Sequence, residues 1–493
     1  MDLSVVFAFI AVCICCILIQ SIGRKMYRKG NLPPGPTPFP IVGNLFQIKS
    51  REMVQSFKKL QEEYGPVFTV YLGNRPVVMV CGFQAVKEAF IDQGDDFLDR
   101  GNIPVLERML QSSGVGMLQG ERWKEIRAFS IKTLKDLGMG KRNFEEKLKE
   151  EAQCLVEEFR KTKQLPVDPC SHLSQASANI ICSVVFGMRF DYGDKEWVTM
   201  LNNMNKSFHI QGTFWGQLYD IIPKIMCYLP GPHNQMFRLI HGLTEFISQR
   251  VKLNHETLDP SYPRDFSDYF LIRMDKEKEN PSSEFFVKNL LMTILDIFIG
   301  GVETTSTTLK YGFLVLLKHP EIEEKIHEEI DSVVGRNHSP SIEDRRKLHY
   351  TNAVIHEIQR FIDITPMGGM HSVVRDTQFR GYTIPKGTDV CMFLSSVLSD
   401  PKYFRDPENF NPGHFLDENG EFKANDAFVP FSMGKRNCLG LGIAQMELFL
   451  IFTTVLQNFS LKPVLQPKEI DLKPATQGFE TIAPFYELSF LPR

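Results

Sequence analysis

One apolar helical pattern, at residues 284–317, constrains the fold of this chain more than any other feature. About thirty residues is long for a helix in a globular protein, and its middle reads Gly300-Gly301-Val302-Glu303-Thr304. Each mid-helix glycine costs about 1 kcal/mol relative to alanine, and Glu303 and Thr304 interrupt an apolar run. Two interpretations are open. One is a packing crevice beside a solvated glutamate; the other is a helix that passes close to a flat ligand, with an acid and an alcohol beside the groove.

The remaining patterns are mostly helical with a few short strands. Helical patterns lie at 118–135, 141–161, 173–186, 235–255, 320–334 and 349–362. Residues 67–72 and 76–81 flank Gly73-Asn74 as a hairpin, and shorter strand patterns lie at 371–380, 382–390 and 478–491. No internal repeat and no later linker divides the chain. We therefore predict one large domain, mainly α with small β-sheets.

The N-terminus predicts a membrane anchor. Residues 3–19 are almost wholly apolar and would measure about 26 Å as a helix, near the lower limit for a bilayer. A cleaved signal peptide is the competing interpretation, but the basic cluster at 24–29 follows the apolar run and no small-residue cleavage site is evident. The positive-inside rule leaves the rest of the chain on the cytoplasmic side. We expect an anchor at 1–22, a basic and proline-rich hinge at 23–40, and a folded domain at 41–493.

Composition narrows the possible partners. The formal net charge is only −3 and no tract is basic enough to indicate nucleic-acid binding. The ten cysteines form no CxxC pair, and their spacing matches no disulfide framework or zinc site. The folded part is therefore expected to face a reducing compartment, with most thiols acting as small buried hydrophobes.

Cys438 is the cysteine with unusual surroundings. Gly434 and Gly440 flank it and allow tight turns and the close approach of another group. An apolar helix follows directly, so backbone N–H groups at its start would favour a thiolate. Arg436 offers a cation to a nearby anion. The alternative is an ordinary buried cysteine.

The segment resembles the haem-ligating motif Phe-x-x-Gly-x-Arg-x-Cys-x-Gly of the cytochrome P-450 superfamily. The matching residues are Phe431, Gly434, Arg436, Cys438 and Gly440. Residues 300–305 are similar to the oxygen-activating helix of that superfamily, and its Glu-x-x-Arg and Trp-x-x-x-Arg motifs are matched in order at 357–360 and 123–127. The resemblance covers residues 30–493, nearly the whole chain. It implies a single-domain cytochrome P-450 fold and a haem-binding catalytic domain at 41–493.

One position departs from the common pattern of the superfamily. The usual third partner of the Glu-x-x-Arg pair is an arginine, whereas this chain has His414. In having histidine at this position, the chain resembles the second vertebrate microsomal family of the superfamily. Within that family, subfamily C looks closest. The resemblance implies a structural triad of Glu357, Arg360 and His414, and histidine makes the charge of that triad sensitive to pH near neutrality.

The resemblance further implies haem b, with the Cys438 thiolate as the proximal iron ligand. The residues expected to hold the haem propionates are Arg100, Trp123, Arg127, His371 and Arg436. Thr304 and Glu303 are expected to deliver protons during oxygen activation. The implied enzyme is a monooxygenase of the endoplasmic reticulum membrane with its catalytic domain on the cytoplasmic side.

Electrons must come from outside the chain, since no flavin or nicotinamide fingerprint is present. A basic cluster accompanies Trp123 and consists of Arg122, Lys124, Lys132, Lys135, Lys141 and Arg142, and Lys435 lies near Cys438 in the sequence. These cations form either a solvated face or a docking surface for an acidic flavoprotein. The resemblance favours NADPH-cytochrome P-450 reductase, through which NADPH is used indirectly. A microsomal b-type cytochrome is a second candidate partner.

The substrate pocket implied by the resemblance is mostly apolar. Its residues are Ile103, Met117, Phe208, Gly300, Thr304, Ile364, Thr365 and Phe479. A lipophilic substrate oriented by few polar contacts is expected, from among drugs, fatty acids such as arachidonate, and steroids. The alternatives are a haem-thiolate isomerase or synthase that rearranges a peroxide without a reductase, and a non-catalytic haem sensor.

Overall fold

The computed structural model describes residues 31–49, 52–139, 142–478 and 480–493. The α-helices are α1 Met53–Tyr64, α2 Phe83–Lys87, α3 Pro104–Leu110, α4 Gly114–Met117, α5 Gly120–Asp136, α6 Arg142–Lys161, α7 Cys170–Val185, α8 Lys195–Gln211, α9 Phe214–Ile221, α10 Pro223–Met226, α11 Pro232–Glu256, α12 Phe266–Lys276, α13 Val287–Lys318, α14 Pro320–Val333, α15 His349–Ile362, α16 Ser395–Leu398 and α17 Leu441–Asn458. A π-helical turn spans Glu88–Asp92, and 3₁₀ turns span Asp344–Arg346, Pro412–Phe415 and Pro467–Glu469.

Short strands form one mixed sheet and three two-stranded ribbons. They are β1 Val67–Leu72, β2 Arg75–Cys81, β3 Asp99–Arg100, β4 His371–Ser372, β5 Thr377–Phe379, β6 Tyr382–Ile384, β7 Asp389–Phe393, β8 Phe459–Pro463, β9 Thr476–Gln477, β10 Thr481–Ile482 and β11 Leu488–Pro492. The five-stranded sheet has the order β1-β2-β7-β4-β3, in which only β2 and β7 are parallel. The ribbons pair β5 with β6, β8 with β11, and β9 with β10. The prediction of a mainly α domain with small sheets is confirmed.

Helix α13 runs through the core and explains both glycines of its middle turn. A Cβ atom on Gly301 would lie 2.3 Å from Cδ1 of Ile181 on α7, so this glycine lets the two helices approach closely. A Cβ on Gly300 would meet no atom within 4 Å. The sequence left a packing crevice and a ligand groove as alternatives. The structure has one glycine in each role, with Gly301 packed and Gly300 beside open space.

The predicted elements are mostly found, with boundaries shifted by a few residues. The hairpin at 67–81 forms with the register Val70↔Val77, and the long pattern at 284–317 is α13. Helices α1, α3, α8, α9 and α12 were not singled out. For α8 and α12 a sequence signal existed, since each follows an aspartate that caps it. Asp194 accepts hydrogen bonds from the backbone N–H groups of Glu196 and Trp197, and Asp265 accepts one from that of Asp268.

The described part of the proline-rich segment packs against the sheet. Thr69 of β1 donates from its backbone N–H to the Pro34 carbonyl oxygen and from Oγ1 to that of Pro33, both at 2.8 Å. Residues 33 and 34 thus pack on the folded body, and the expected boundaries of the hinge and the catalytic domain stay predictions. The anchor expected at 1–22 lies outside the described residues. Within the described ranges, α13 and α17 are long and apolar enough to span a bilayer, but both pack into the core.

The predicted triad is assembled and buried. Nε and Nη2 of Arg360 each donate to a carboxylate oxygen of Glu357 at 2.7 Å, and Nη1 donates to the Leu398 carbonyl oxygen. Nδ1 of His414 lies 3.0 Å from Oε2 of Glu357, and its Nε2 lies 2.6 Å from the Arg405 carbonyl oxygen. Both ring nitrogens face acceptors, so both contacts are hydrogen bonds only when the ring is doubly protonated. The triad fastens α15 to the segment that carries the Pro412–Phe415 turn.

Replacing Glu357 by glutamine should lower the free energy of unfolding by about 3–5 kcal/mol, because the buried Arg360 guanidinium loses its anionic partner. Urea unfolding of the solubilised protein measures this loss. The control is Glu408→Gln, whose exposed carboxylate lies 3.2 Å from Nζ of Lys58 and should cost less than about 1 kcal/mol. Equal losses in the two variants would contradict a role for the triad in stability.

Candidate functional site

An internal cavity of about 420 Å³ lies between α13 and the segment that contains Cys438. The predicted site residues that line it are Arg100, Trp123, Arg127, Gly300, Thr304, Ile364, Thr365, Phe431, Arg436, Cys438 and Gly440. Residues far apart in the sequence thus line one cavity. His371, Gly434 and Glu303 do not line this cavity.

The segment that carries Cys438 is a tight loop. The Cys438 backbone N–H donates to the Phe431 carbonyl oxygen at 3.0 Å, and that of Asn437 donates to the Gly434 carbonyl oxygen at 3.2 Å. Gly434 has φ +80°, and a Cβ there would lie 2.3 Å from the Phe90 carbonyl oxygen. Only glycine fits both constraints. The loop leads directly into α17.

The Cys438 sulfur is accessible because it faces the cavity. Burial raises the pKa of this thiol, while the backbone N–H groups of Gly440 and Leu441 and the Arg127 guanidinium act in the opposite direction. The predicted thiolate-favouring contribution of the helix start is present, but burial outweighs it. Cys438 would be held as a thiolate if it coordinated a metal ion, since a coordinating thiol is deprotonated.

Arg436 is buried, and two of its three guanidinium nitrogens donate hydrogen bonds to backbone carbonyl oxygens. Its Nε donates to the Leu98 carbonyl oxygen at 2.9 Å and its Nη2 to that of Leu118 at 2.7 Å. The guanidinium stacks on the Trp123 ring at 4.1 Å. Among the described residues, its buried Nη1 finds no hydrogen-bond partner. Burial, reinforced by Arg100, lowers the pKa of Arg436 to about 9.

Arg127 is held by the cysteine loop. Its Nη2 donates to the backbone oxygen of Asn437 at 2.8 Å and to Oδ1 of the same residue at 2.7 Å. Asn437 occupies a variable position of the motif, and sequence reasoning gave it no role. Its contacts with Arg127 join α5 to the loop next to Cys438.

Arg100 and His371 are the two remaining residues that were predicted to hold the propionates. Nε of Arg100 donates to the Gly116 carbonyl oxygen at 2.9 Å, and burial lowers the pKa of Arg100 to about 10. Nδ1 of His371 lies 2.8 Å from the Phe97 carbonyl oxygen. Burial lowers the pKa of His371 to about 3, so its ring is neutral at pH 7.

These residues fit a haem. Within the described ranges, Arg100, Arg127 and Arg436 form no ion pair with a carboxylate within 4 Å, and the Nη1 of Arg436 is unpartnered. Buried cations without counter-ions are costly, so this wall suits a ligand that brings its own carboxylates. The sulfur of Cys438 faces the same cavity and is a soft ligand for iron.

Thr304 and Glu303 lie on different faces of α13. Oγ1 of Thr304 donates to the Gly300 carbonyl oxygen at 2.6 Å, and Thr304 lines the cavity. Glu303 instead accepts from Oγ1 of Thr307 at 3.4 Å. Burial raises the pKa of Glu303 to about 7. The expected pair therefore consists of an alcohol at the cavity wall and a carboxyl group behind it.

A second cavity of about 280 Å³ shares Arg100, Gly300 and Thr365 with the first. The predicted pocket residues Ile103, Met117 and Phe208 line it. Phe479 lies outside the described residues. Sequence reasoning missed two acids in this wall, Asp296 and Glu480. The sequence carries a signal for Asp296, because it precedes Gly300 by four residues, about one helical turn, and so lies on the same side of the helix as that glycine.

The carboxylate of Asp296 has a hydrogen-bond donor and a nearby cation in the surrounding protein. Its Oδ2 accepts a hydrogen bond from the Gly116 backbone N–H at 2.8 Å. Burial raises its pKa to about 7, although that N–H and the nearby Arg100 act in the opposite direction. The contact joins α13 to α4.

Some basic side chains of α5 form ion pairs with acidic residues, and others do not. Nε of Arg122 lies 2.5 Å from Oε1 of Glu284, and Nζ of Lys124 lies 2.7 Å from Oε1 of Glu121. Lys435 pairs with Asp95. Among the described residues, three exposed cations have no acidic partner: Lys132 and Lys135 of α5, and Arg142 at the start of α6. Met139, just beyond α5, packs on Gly442 at the start of α17, so this end of α5 adjoins the cysteine loop.

Comparison with known proteins places the chain among its relatives. The family model described as cytochrome P450 matches residues 33–490. Cytochrome P450 2G1 from Oryctolagus cuniculus is 54% identical over 485 residues, 98% of each chain. Cytochrome P450 2A5 from Mus musculus is 52% identical over 97% of each chain, and cytochrome P450 2A6 from Homo sapiens is 52% identical over 98% of each chain.

The relatives named above belong to subfamilies G and A, so the expectation of subfamily C gains no support from them and stays a prediction. Members of family 2 carry haem b on a cysteine thiolate, are typically microsomal, and typically receive electrons from NADPH through a reductase. The chain therefore belongs to the cytochrome P450 superfamily, as a family 2 haem-thiolate monooxygenase.

Proposed function

We propose that this protein inserts one oxygen atom from O₂ into lipophilic substrates, using NADPH electrons delivered by cytochrome P-450 reductase. The observation that carries the proposal is that Cys438 and Thr304 line one cavity from opposite elements of the fold. A soft metal ligand and a hydroxyl group thus border the same space. That arrangement suits oxygen activation at a metal and proton delivery to it.

Cys438 is the proposed iron ligand. A thiolate-ligated haem supplies, when bound, the electron density that favours cleavage of the O–O bond. Phe431, Gly434 and Gly440 shape the loop that presents the sulfur. The propionates are assigned to Arg100 and Arg436, whose side chains have no carboxylate partner among the described residues. Trp123 stacks on Arg436, and Trp123, Arg127 and His371 are also proposed to contact the propionates.

Thr304 and Glu303 are the proposed proton-delivery residues. The Thr304 hydroxyl rests on the Gly300 carbonyl oxygen and can rotate to donate into the cavity. The Glu303 carboxyl, with its pKa near 7, exchanges protons readily at neutral pH. Because it does not line the cavity, it would supply protons to the alcohol from outside the lining.

Substitution of Thr304 by alanine should lower the product formed per NADPH consumed severalfold and raise hydrogen peroxide release, because protons no longer reach the oxygen-binding side in step with electrons. Both quantities are measured with the purified protein and reductase. The matched control is Thr304→Ser, which keeps the hydroxyl and should keep most of the coupling. Unchanged coupling in the alanine variant would remove Thr304 from this role.

The proposed reductase surface is the exposed end of α5. Lys132 and Lys135 are exposed there, and α5 also carries Trp123 and Arg127. An acidic flavoprotein docked on this face would lie next to the cysteine loop. Complementary charge of this kind steers association and weakens as salt rises.

The double variant Lys132→Glu/Lys135→Glu should raise the half-saturating reductase concentration severalfold at low salt, because each reversed charge repels the acidic partner. Steady-state turnover against reductase concentration measures this effect. The control is Lys206→Glu/Lys252→Glu, on exposed positions of α8 and α11. The account fails if the two doubles behave alike, or if the α5 double weakens substrate binding equally.

We further infer a place in the cell and a substrate range. The apolar residues 1–22 would anchor the chain in the endoplasmic reticulum membrane, with the catalytic domain on the cytoplasmic side. A microsomal b-type cytochrome is a second proposed redox partner. The mostly apolar wall supports lipophilic substrates, namely drugs, fatty acids or steroids.

Two other activities make different predictions. A haem-thiolate isomerase or synthase would need neither a reductase surface nor the acid–alcohol pair, and a haem sensor would need no substrate cavity. Glu303, Thr304 and the second cavity favour the monooxygenase. Oxidation of a lipophilic probe that requires both NADPH and reductase distinguishes the three.

A further inference from the structure

The second cavity contains an acid with no assigned role. Glu480 lines it together with apolar residues such as Ile103, Phe208 and Ile482. The charged residues that share this wall are Arg100 and Asp296. Glu480 is enclosed by protein on its other sides.

The position of Glu480 is fixed by its backbone. It lies in the short turn of the β9–β10 hairpin. The next residue, Thr481, donates from its backbone N–H to the Ile364 carbonyl oxygen at 2.9 Å and from Oγ1 to that of Asp363 at 2.7 Å. These bonds fasten the hairpin to the segment after α15, which also contributes Ile364 and Thr365 to the first cavity. Glu480 is therefore held at the substrate wall rather than on a free loop.

Its carboxylate has no partner of its own. Within the part of the chain that the structure describes, it takes part in no hydrogen bond or ion pair. The cation that shares this wall, Arg100, is already engaged, because it donates to the Gly116 carbonyl oxygen and is attracted to Asp296. Burial raises the pKa of Glu480 to about 8, and repulsion from Glu303 on α13 adds to that rise.

We propose that Glu480 selects lipophilic substrates that carry a protonated amine and disfavours those that carry a carboxylate. Glu480 is unfavourable as an anion because its carboxylate has no partner and because Glu303 carries a like charge. A protonated amine placed beside Glu480 would offset both effects. A substrate carboxylate would add a further negative charge to a wall that already contains two acids. The inference rests on the proposed function, whose substrate class it narrows from lipophilic molecules in general to lipophilic amines. It also argues against fatty acids such as arachidonate as preferred substrates.

The test uses the purified full-length holoprotein and three probes of similar shape. They are N,N-dimethyl-4-phenylbutylamine, its neutral carbon isostere 5-methylhexylbenzene, and 5-phenylpentanoate. Dissociation constants are measured from the spectral change of the haem on titration at pH 8.5, where a carboxyl group with a pKa of about 8 is mostly ionised and the amine is still protonated. The variants are Glu480→Gln, which keeps the shape and removes the charge, and Glu487→Gln, an exposed position in the same C-terminal segment.

Wild type and Glu487→Gln should bind the amine about 10-fold or more tightly than the neutral isostere, as expected for a charge-assisted hydrogen bond. Glu480→Gln should reduce that preference to within about twofold and should tighten binding of 5-phenylpentanoate. The inference is overturned if wild type shows no amine preference, a result that needs no variant to fold. It is equally overturned if Glu480→Gln keeps the preference.

These outcomes are separable from failure of the proposed function. Reductase-dependent oxidation of the neutral isostere by wild type tests the monooxygenase activity without involving Glu480. Oxidation of the isostere without an amine preference refutes the specificity and leaves the activity standing. An amine preference without any reductase-dependent oxidation refutes the activity and leaves Glu480 as a ligand-binding residue.

Discussion

The hydrogen bond from the Cys438 backbone N–H to the Phe431 carbonyl oxygen closes the loop on which the site depends. It turns the sulfur towards the cavity, and the loop fits only because Gly434 passes close to the Phe90 carbonyl oxygen. Arg436, two residues before the cysteine, is aimed by the same loop into a buried position over Trp123. One local backbone geometry thus positions both the proposed iron ligand and one of the cations proposed to hold the carboxylates of the cofactor.

Helix α13 forms the cavity wall opposite the cysteine loop. Neighbouring residues of this helix differ in what they contact. Gly301 brings the helix against α7, whereas Gly300 leaves space at the cavity. Thr304 lies at the wall, and Glu303 lies one position round the helix, where burial raises its pKa to about 7. Glu303, the proposed proton source, does not line the cavity. Its carboxyl group also raises the pKa of Glu480, so the residues proposed for proton delivery and for substrate selection interact electrostatically.

Local patterns predicted the local elements well. The hairpin at 67–81, helix α13 and the cysteine loop are each encoded within a few dozen residues, and their motifs are specific. What could not be predicted depends on distant contacts. That Asn437 holds Arg127, that burial outweighs the helix start at Cys438, and that Glu480 stands unpartnered at the wall all follow from packing between segments. No window of sequence contains that information.

The central claim is that Cys438 is the thiolate ligand of the haem. The most direct measurement is the absorption spectrum of the ferrous carbon monoxide complex of the wild type, Cys438→Ser and Cys227→Ser, the last of which changes an exposed cysteine outside the site. The account predicts the long-wavelength Soret band of a thiolate-ligated haem in the wild type and in Cys227→Ser, and its loss in Cys438→Ser. Persistence of that band in Cys438→Ser would contradict the account.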